Sequence, residues 1–302
     1  MIVEATAAAG GVWALRSLAH RAILRGLRAP RLRHMQGPAG LGFAPGTVRE
    51  VRIPGPRGRQ LFGWLVSPPP AAPQPAPAVL VMHGWGANAA TMWPVAPPLH
   101  AAGFAVLLID ARGHGRSDDE AFTSMPRFAE DIAAGLGWLR EQPAIAAGRL
   151  ALLGHSVGAA AALLHASRHD DVRAVVSLAA FAHPREVMRR MLAEKRVPYP
   201  LMGWYVLRHV QRVIGASFDE IAPLATLARL RCPVLLVHGR ADTTVPVGDA
   251  RRLLATSGRA SLLLVDGDHD LRDALAPHAD TLVDFLRAAC AAPAATTTPA
   301  EA

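Results

Sequence analysis

The chain has 302 residues, 51% of them hydrophobic, with 32 Lys and Arg against 24 Asp and Glu and only 2 cysteines. Such a length and apolar content suit one α/β domain with a full core and exclude a disordered chain, while two cysteines exclude a disulfide framework or a thiolate metal site and fit a reducing, cytoplasmic setting. The net charge of +8 is concentrated at the start, where residues 1–36 carry six arginines against one glutamate; this argues for an anionic surface as neighbour rather than for specific nucleic-acid reading.

Residues 1–46 read as a basic amphipathic extension and linker. Val12, Trp13, Leu15, Leu18, Ile23 and Leu27 recur at helical spacing. Arg16, His20 and Arg21 interrupt the run, so it does not span a bilayer, and its arginines follow the apolar residues instead of preceding them as in a signal peptide. Two placements stay open. Either the helix packs on its own domain with its arginines in water, or residues 11–33 make peripheral contact with the inner face of a membrane. Strands are predicted at 47–53 and 59–67 around a Pro-Gly-Pro-Arg-Gly turn, followed by an exposed proline-rich loop at 68–77. Strands at 78–83, 104–110, 149–153 and 172–179 then alternate with helices at 92–101, 122–140 and 157–167. The rhythm breaks over 181–230, a segment with charged helical stretches, Pro198 and Pro200, and the aromatic group Tyr199, Trp204 and Tyr205. It resumes with a strand at 233–238, a helix at 247–256, a strand at 261–265 and a helix at 271–289, before an Ala/Pro/Thr tail at 291–302 that reads as disordered. The pattern predicts an α/β fold: a mostly parallel sheet covered by helices on both faces, its core formed by 47–180 and 231–290, with a small helical cap, 181–230, inserted after the sixth strand.

The organising stretch is Gly154-His155-Ser156-Val157-Gly158, set between an apolar run and a small-residue helical pattern. A serine on such a strand-to-helix turn has its backbone forced to positive φ and its hydroxyl raised above the sheet; glycines on either side remove side chains that would collide. A serine hydroxyl needs a base, and a histidine base needs a third group to hold its tautomer. Asp242, after the strand 233–238, and His269, after the strand 261–265, stand in the right place and order. Asp266 and Asp268 are closer to His269 in sequence, but a shared loop does not put a carboxylate behind the imidazole. His155 reads as a packing residue facing away from Ser156. Two donors are needed for a developing oxyanion. Val157 N–H follows the nucleophile directly, and Trp85 N–H lies in His83-Gly84-Trp85-Gly86, where the Trp85 side chain also has the position of a pocket wall. Asp110, Arg112 and His114 read as braces of a turn. No metal cluster and no phosphate-binding glycine loop emerges, so neither a metal nor a cofactor is expected.

In order, the segments HGWG (83–86), DARGHGRSD (110–118), GHSVG (154–158), HGRADTTVP (238–246) and GDHD (267–270) resemble the α/β-hydrolase family over about residues 48–288. FDEIAPL (218–224) is similar to the cap-to-core return of its serine aminopeptidase/monoglyceride lipase-like branch. The resemblance implies a Ser156–Asp242–His269 triad, an oxyanion hole at Trp85 and Val157, and cofactor-free hydrolysis of a small-molecule carboxylic ester. Thioesterase, amidase or aminopeptidase chemistry on the same triad, and a non-catalytic binding role on the same fold, are the alternatives. In the cap, Arg185, Arg189, Arg190, Lys195 and Arg196 are either a solvated helix face or cations that steer an anionic acyl donor. Tyr199, Trp204 and Tyr205 are the cap's candidate pocket residues.

Overall fold

The computed structural model describes Trp13 and residues 16–291; the sequence expectations for residues 1–12, for 14–15, which include Leu15, and for 292–302 lie outside this range. Eight strands form one sheet in the order β1-β2-β4-β3-β5-β6-β7-β8. They are β1 (Val48–Pro54), β2 (Gln60–Val66), β3 (Ala76–Met82), β4 (Ala105–Ile109), β5 (Ile145–His155), β6 (Val175–Leu178), β7 (Val234–Gly239) and β8 (Ala260–Val265). β1 pairs antiparallel with β2, and β2 antiparallel with β4; all later pairings are parallel. The central strands are apolar without alternation because both of their faces are covered. In β3, Ala78, Leu80 and Met82 enter one core cluster while Val79 and Val81 enter the other.

One face carries α3 (Met125–Arg140), α4 (Val157–Ala166) and α9 (Val247–Leu254), through residues such as Phe128, Ile132, Leu163 and Leu253. The opposite face carries α2 (Ala96–Ala101) and α10 (Ala279–Ala291), through Leu99, Leu282 and Leu286. Two predicted helices start elsewhere than their apolar spacing implied. The stretch 92–101 divides into a 3-10 segment, Ala89–Val95, and the short α2, because Pro94 and the Pro97-Pro98 pair remove amide donors. The last helix begins at Ala279 rather than 271, since Leu271 has φ 34° and Pro277 sits in a separate 3-10 turn.

The insertion after β6 is helical, as expected: α5 (Pro184–Glu194), a π-helical turn at Tyr199–Gly203, α6 (Trp204–Ile214), α7 (Phe218–Ile221) and α8 (Pro223–Leu227). Its own small core is Leu207, Val210 and Phe218. Residues 16–26 form helix α1, and Ile23 and Leu27 pack against that small core. The described part of the N-terminal extension therefore packs on its own domain, with Arg16, Arg21, Arg25 and Arg28 exposed. From Leu27 onward the chain runs as an arm across the core. Thr123 N–H donates to Leu27 O at 2.9 Å, Asn88 Nδ2 donates to Leu32 O and Arg33 O at 3.1 and 3.2 Å, and His34 Nε2 meets buried Asp110 at 2.8 Å.

Candidate active site

β5 ends at His155 and α4 starts at Val157, so Ser156 alone makes the turn. Its φ of 52° and ψ of −116° lie outside the regions that an L-residue prefers. The surroundings hold it there. Ser156 N–H donates to Leu178 O at 2.8 Å, and Ser156 O accepts from Ala160 N–H at 3.0 Å. A Cβ at Gly154 would come within 2.5 Å of the Gly158 backbone, and a Cβ at Gly158 within 2.3 Å of His83 O. Strand, turn and helix approach this closely only without those side chains.

The loop after β8 brings His269 Nε2 to 3.1 Å from Ser156 Oγ. Its Nδ1 lies 2.8 Å from Asp242 Oδ2, on the loop after β7. The Asp242 side chain is fully buried. Its Oδ1 accepts from Thr244 N–H at 2.9 Å and Val245 N–H at 2.7 Å, which leaves Oδ2 for the imidazole. Burial alone would raise the carboxyl pKa, but hydrogen bonds from His238, His269 and the Val245 amide outweigh it and hold Asp242 well below the usual carboxylate range. His238, buried on β7, donates Nε2–H to Val245 O at 2.8 Å and lies 3.3 Å from Asp242 Oδ2. Asp266 is highly exposed and pairs with Arg240, while Asp268 accepts from Asp270 N–H; neither stands behind His269. Asp242 orients a histidine that is hydrogen-bonded to a serine, the spatial arrangement of a serine hydrolase acting on an ester or acyl substrate.

The comparisons agree. Residues 73–216 match the family model described as serine aminopeptidase, S33. An uncharacterized protein, Rv2307c, of Mycobacterium tuberculosis (strain H37Rv) is 30% identical over 217 residues, which are 72% of this chain and 70% of that protein. The uncharacterized protein YfhR of Escherichia coli K12 is 26% identical over 261 residues, 82% of this chain and 84% of the relative. The chain belongs to the α/β-hydrolase family. A crystal structure of the Pyrococcus furiosus esterase Pf2001 shares the fold of this α/β-hydrolase with a TM-score of 0.68, covering 87% of this chain and 98% of that one at 21% identity.

In this α/β-hydrolase, Ser156 and His269 open onto a cavity of about 710 Å³ between the sheet edge and the cap. The lining is mostly apolar and includes Leu27, Met125, Phe181, Met188, Val210, Ile214 and Phe218. Trp85 and Val157 line it. Tyr199, Trp204 and Tyr205 do not. Tyr199 packs in the small cap core beneath the Arg189 guanidinium, and Trp204 and Tyr205 are exposed. The contribution of Gly26 and Leu27 to the lining had no sequence signal, because it arises from contacts with distant parts of the chain.

His155 is a correction. Its ring does not turn away from the reaction site; it lines the cavity, and Nε2–H donates to His269 O at 2.7 Å, pinning the loop that carries the base. Burial pushes this imidazole down to about 4, so it remains a neutral donor near neutral pH. The loop after β3 is braced by two further buried histidines. His83 Nδ1–H donates to Gly84 O at 2.7 Å and its Nε2 accepts from Ala111 N–H at 3.0 Å. His114 Nε2 accepts from Gly86 N–H at 3.2 Å, and burial pushes His114 down to about 3. Asp110 accepts from Ala89 and Arg116 N–H, each at 2.7 Å, which is the bracing role its motif indicated.

Proposed function

We propose that this chain is an esterase that cleaves small-molecule carboxylic esters through an acyl-serine intermediate. The observation that carries the reading is the Ser156–His269–Asp242 relay, at 3.1 and 2.8 Å, on the wall of an apolar cavity. Ser156 Oγ attacks the carbonyl carbon as His269 Nε2 takes its proton. Asp242 keeps Nδ1–H in place and stabilises the imidazolium. The tetrahedral oxygen is received by Trp85 and Val157 N–H. Val157 is the first residue of α4, so its amide has no partner within the helix. Each such donor contributes roughly 3 kcal/mol to the transition state. His269 then protonates the departing alcohol and afterwards activates the water that releases the acid. The name of the Pyrococcus esterase with the same fold supports this choice among acyl transfers.

A fluorophosphonate probe tests the nucleophile. Wild-type protein is expected to be labelled and to hydrolyse p-nitrophenyl acyl esters, whereas Ser156→Ala folds but does neither. Labelling of the variant at the wild-type level would overturn the assignment.

A peripheral contact with an anionic membrane surface is supported by one specific feature. Trp13, Leu18, Leu201, Met202, Trp204 and Tyr205 are all exposed, and α1 adds exposed arginines next to α6, where His20 Nδ1 lies 2.9 Å from His209 Nε2. Among the described residues no helix is long and apolar enough to cross a membrane. Co-sedimentation with anionic liposomes is expected for the wild type and not for a variant with Trp204 and Leu201 changed to Ser. The two free cysteines, Cys232 and Cys290, fit the cytoplasmic side.

A further inference from the structure

The five cations of the cap are not equivalent. Arg185 is held by Asp219 at 2.9 Å, and Arg189 lies over the Tyr199 ring, 4.3 Å from its centroid. Lys195 and Arg196 are exposed and are not part of the cavity wall. Arg190 differs from all four. It lines the cavity that holds Ser156 and His269, and its Nη2 is buried with no hydrogen-bond partner among the described residues.

The acidic groups of the cap are hydrogen-bonded elsewhere or exposed. Glu186, one helical turn before Arg190, feels the Arg190 charge but gives its hydrogen bonds to Arg252, with oxygens at 2.7 and 2.9 Å from that guanidinium. Asp219 is shared between Arg185 and His183. Glu194, one turn after Arg190 and also on the wall, is exposed and makes no ion pair with it. Nη2 has no accessible surface, so an occupant pairs with it only once the Arg190 side chain turns toward the lumen; a buried guanidinium N–H without an acceptor is costly, and that turn removes the cost. Apart from Glu194, the rest of the wall around α5 is apolar: Val187, Met188, Met191, Val210 and Phe218. That is a channel for methylene groups with one cation, Arg190, and one exposed carboxylate, Glu194, on its wall.

We infer that Arg190 receives a carboxylate at the far end of the acyl chain, so that half-esters of dicarboxylic acids are the preferred substrates. This deepens the ester-hydrolase reading and rests on it. The guanidinium offers parallel N–H donors that match a carboxylate, and the low-polarity wall strengthens the pairing. A neutral acyl chain of the same length fills the same apolar space but leaves Nη2 unpaired.

The test compares monoethyl adipate, pimelate and suberate with ethyl hexanoate, heptanoate and octanoate by titration of released acid at constant pH. For the best-fitting length, the wild-type enzyme is expected to show a kcat/KM ratio of half-ester to neutral ester above one, a result that needs no variant. In Arg190→Gln that ratio falls about 30-fold, mainly through KM for the half-ester, the scale of one charge-assisted hydrogen-bonded contact. Arg190→Lys keeps part of the preference because the charge remains without the bidentate fork. A wild-type enzyme that hydrolyses the neutral esters with no preference at any length overturns the carboxylate subsite and leaves the esterase reading standing. A ratio equal in wild type and Arg190→Gln overturns it equally. Hydrolysis of neither series, with Ser156 unlabelled by a fluorophosphonate, overturns both.

Discussion

Replacing Asp242 by Asn tests the relay more sharply than removing the serine, because the structure dictates how the new amide must sit. Oδ1 of Asp242 accepts two backbone amides, Thr244 N–H at 2.9 Å and Val245 N–H at 2.7 Å. In Asp242→Asn that position must hold the amide oxygen, since an NH₂ there would face two donors. The NH₂ group is then forced toward His269 Nδ1, now 2.8 Å from Oδ2. Nδ1 must become an acceptor, and the proton moves to Nε2, the nitrogen 3.1 Å from Ser156 Oγ. A protonated Nε2 cannot take the serine proton. The expected loss in kcat on p-nitrophenyl butyrate at neutral pH is about ten-thousandfold, equivalent to about 5.4 kcal/mol of transition-state stabilisation. The fold should survive, because every backbone donor keeps its acceptor; circular dichroism and the melting temperature check this. A folded variant retaining more than about one hundredth of the wild-type rate would refute the claim that Asp242 sets the tautomer.

The remaining expectations concern strain, loop closure and acid stability. Ser156→Gly relieves a φ of 52° that Ser156→Ala retains, so the Gly variant should melt above the Ala variant by the equivalent of about 1 kcal/mol, read by differential scanning calorimetry. At Gly239 an added Cβ would meet the carbonyl oxygens of Asp268 and Gly267 at 2.4 Å, so Gly239→Ala should displace the His269 loop and reduce kcat at least tenfold, roughly, with a smaller effect on KM. Burial lowers His155 from 6.5 to about 4 and His114 from 6.5 to about 3. At these two sites the unfolded chain therefore binds more protons than the folded one below pH 6.5, and their contribution to stability falls as pH drops from there toward 4, opposed by Asp131, which burial raises to about 7. For His155 alone the loss is at most about 3 kcal/mol. Asp242, with its folded pKa depressed, acts in the same direction at lower pH. Urea midpoints at pH 7 and pH 5, compared between wild type and His155→Gln, check the sign: the variant should lose less midpoint on acidification, and an equal loss in both would contradict it.

The nucleophile turn was legible in the chain because its constraints are local: two glycines, one serine, an apolar run before and small residues after. Asp242 and His269 were legible because each follows a buried strand, and a parallel sheet delivers the ends of its strands to one edge. His155 misled because alternation along a strand sets its direction only up to the last residue, and its partner, His269 O, lies 114 positions away. His238 sits inside an apolar run and looks like core; only the fold reveals its 3.3 Å approach to Asp242. The arm after α1 was read only as part of a basic extension and linker, since Leu32, His34, Asn88 and Asp110 carry no pattern that links them in sequence. Pocket aromatics were assigned by residue type, yet Trp204 and Tyr205 face outward while methionines and branched aliphatics form the wall.

That arm has a mechanical consequence. Helix α1 grips the cap through Ile23 and Leu27, and a few residues later the same peptide is fastened to the catalytic half at Asn88 and Asp110. Any outward swing of the cap must therefore stretch a tether only a handful of residues long or unfasten it. Cutting the backbone between Leu27 and Leu32 would uncouple the two halves while leaving every reacting group where it stands, so entry and exit of substrate, rather than bond cleavage, would change pace.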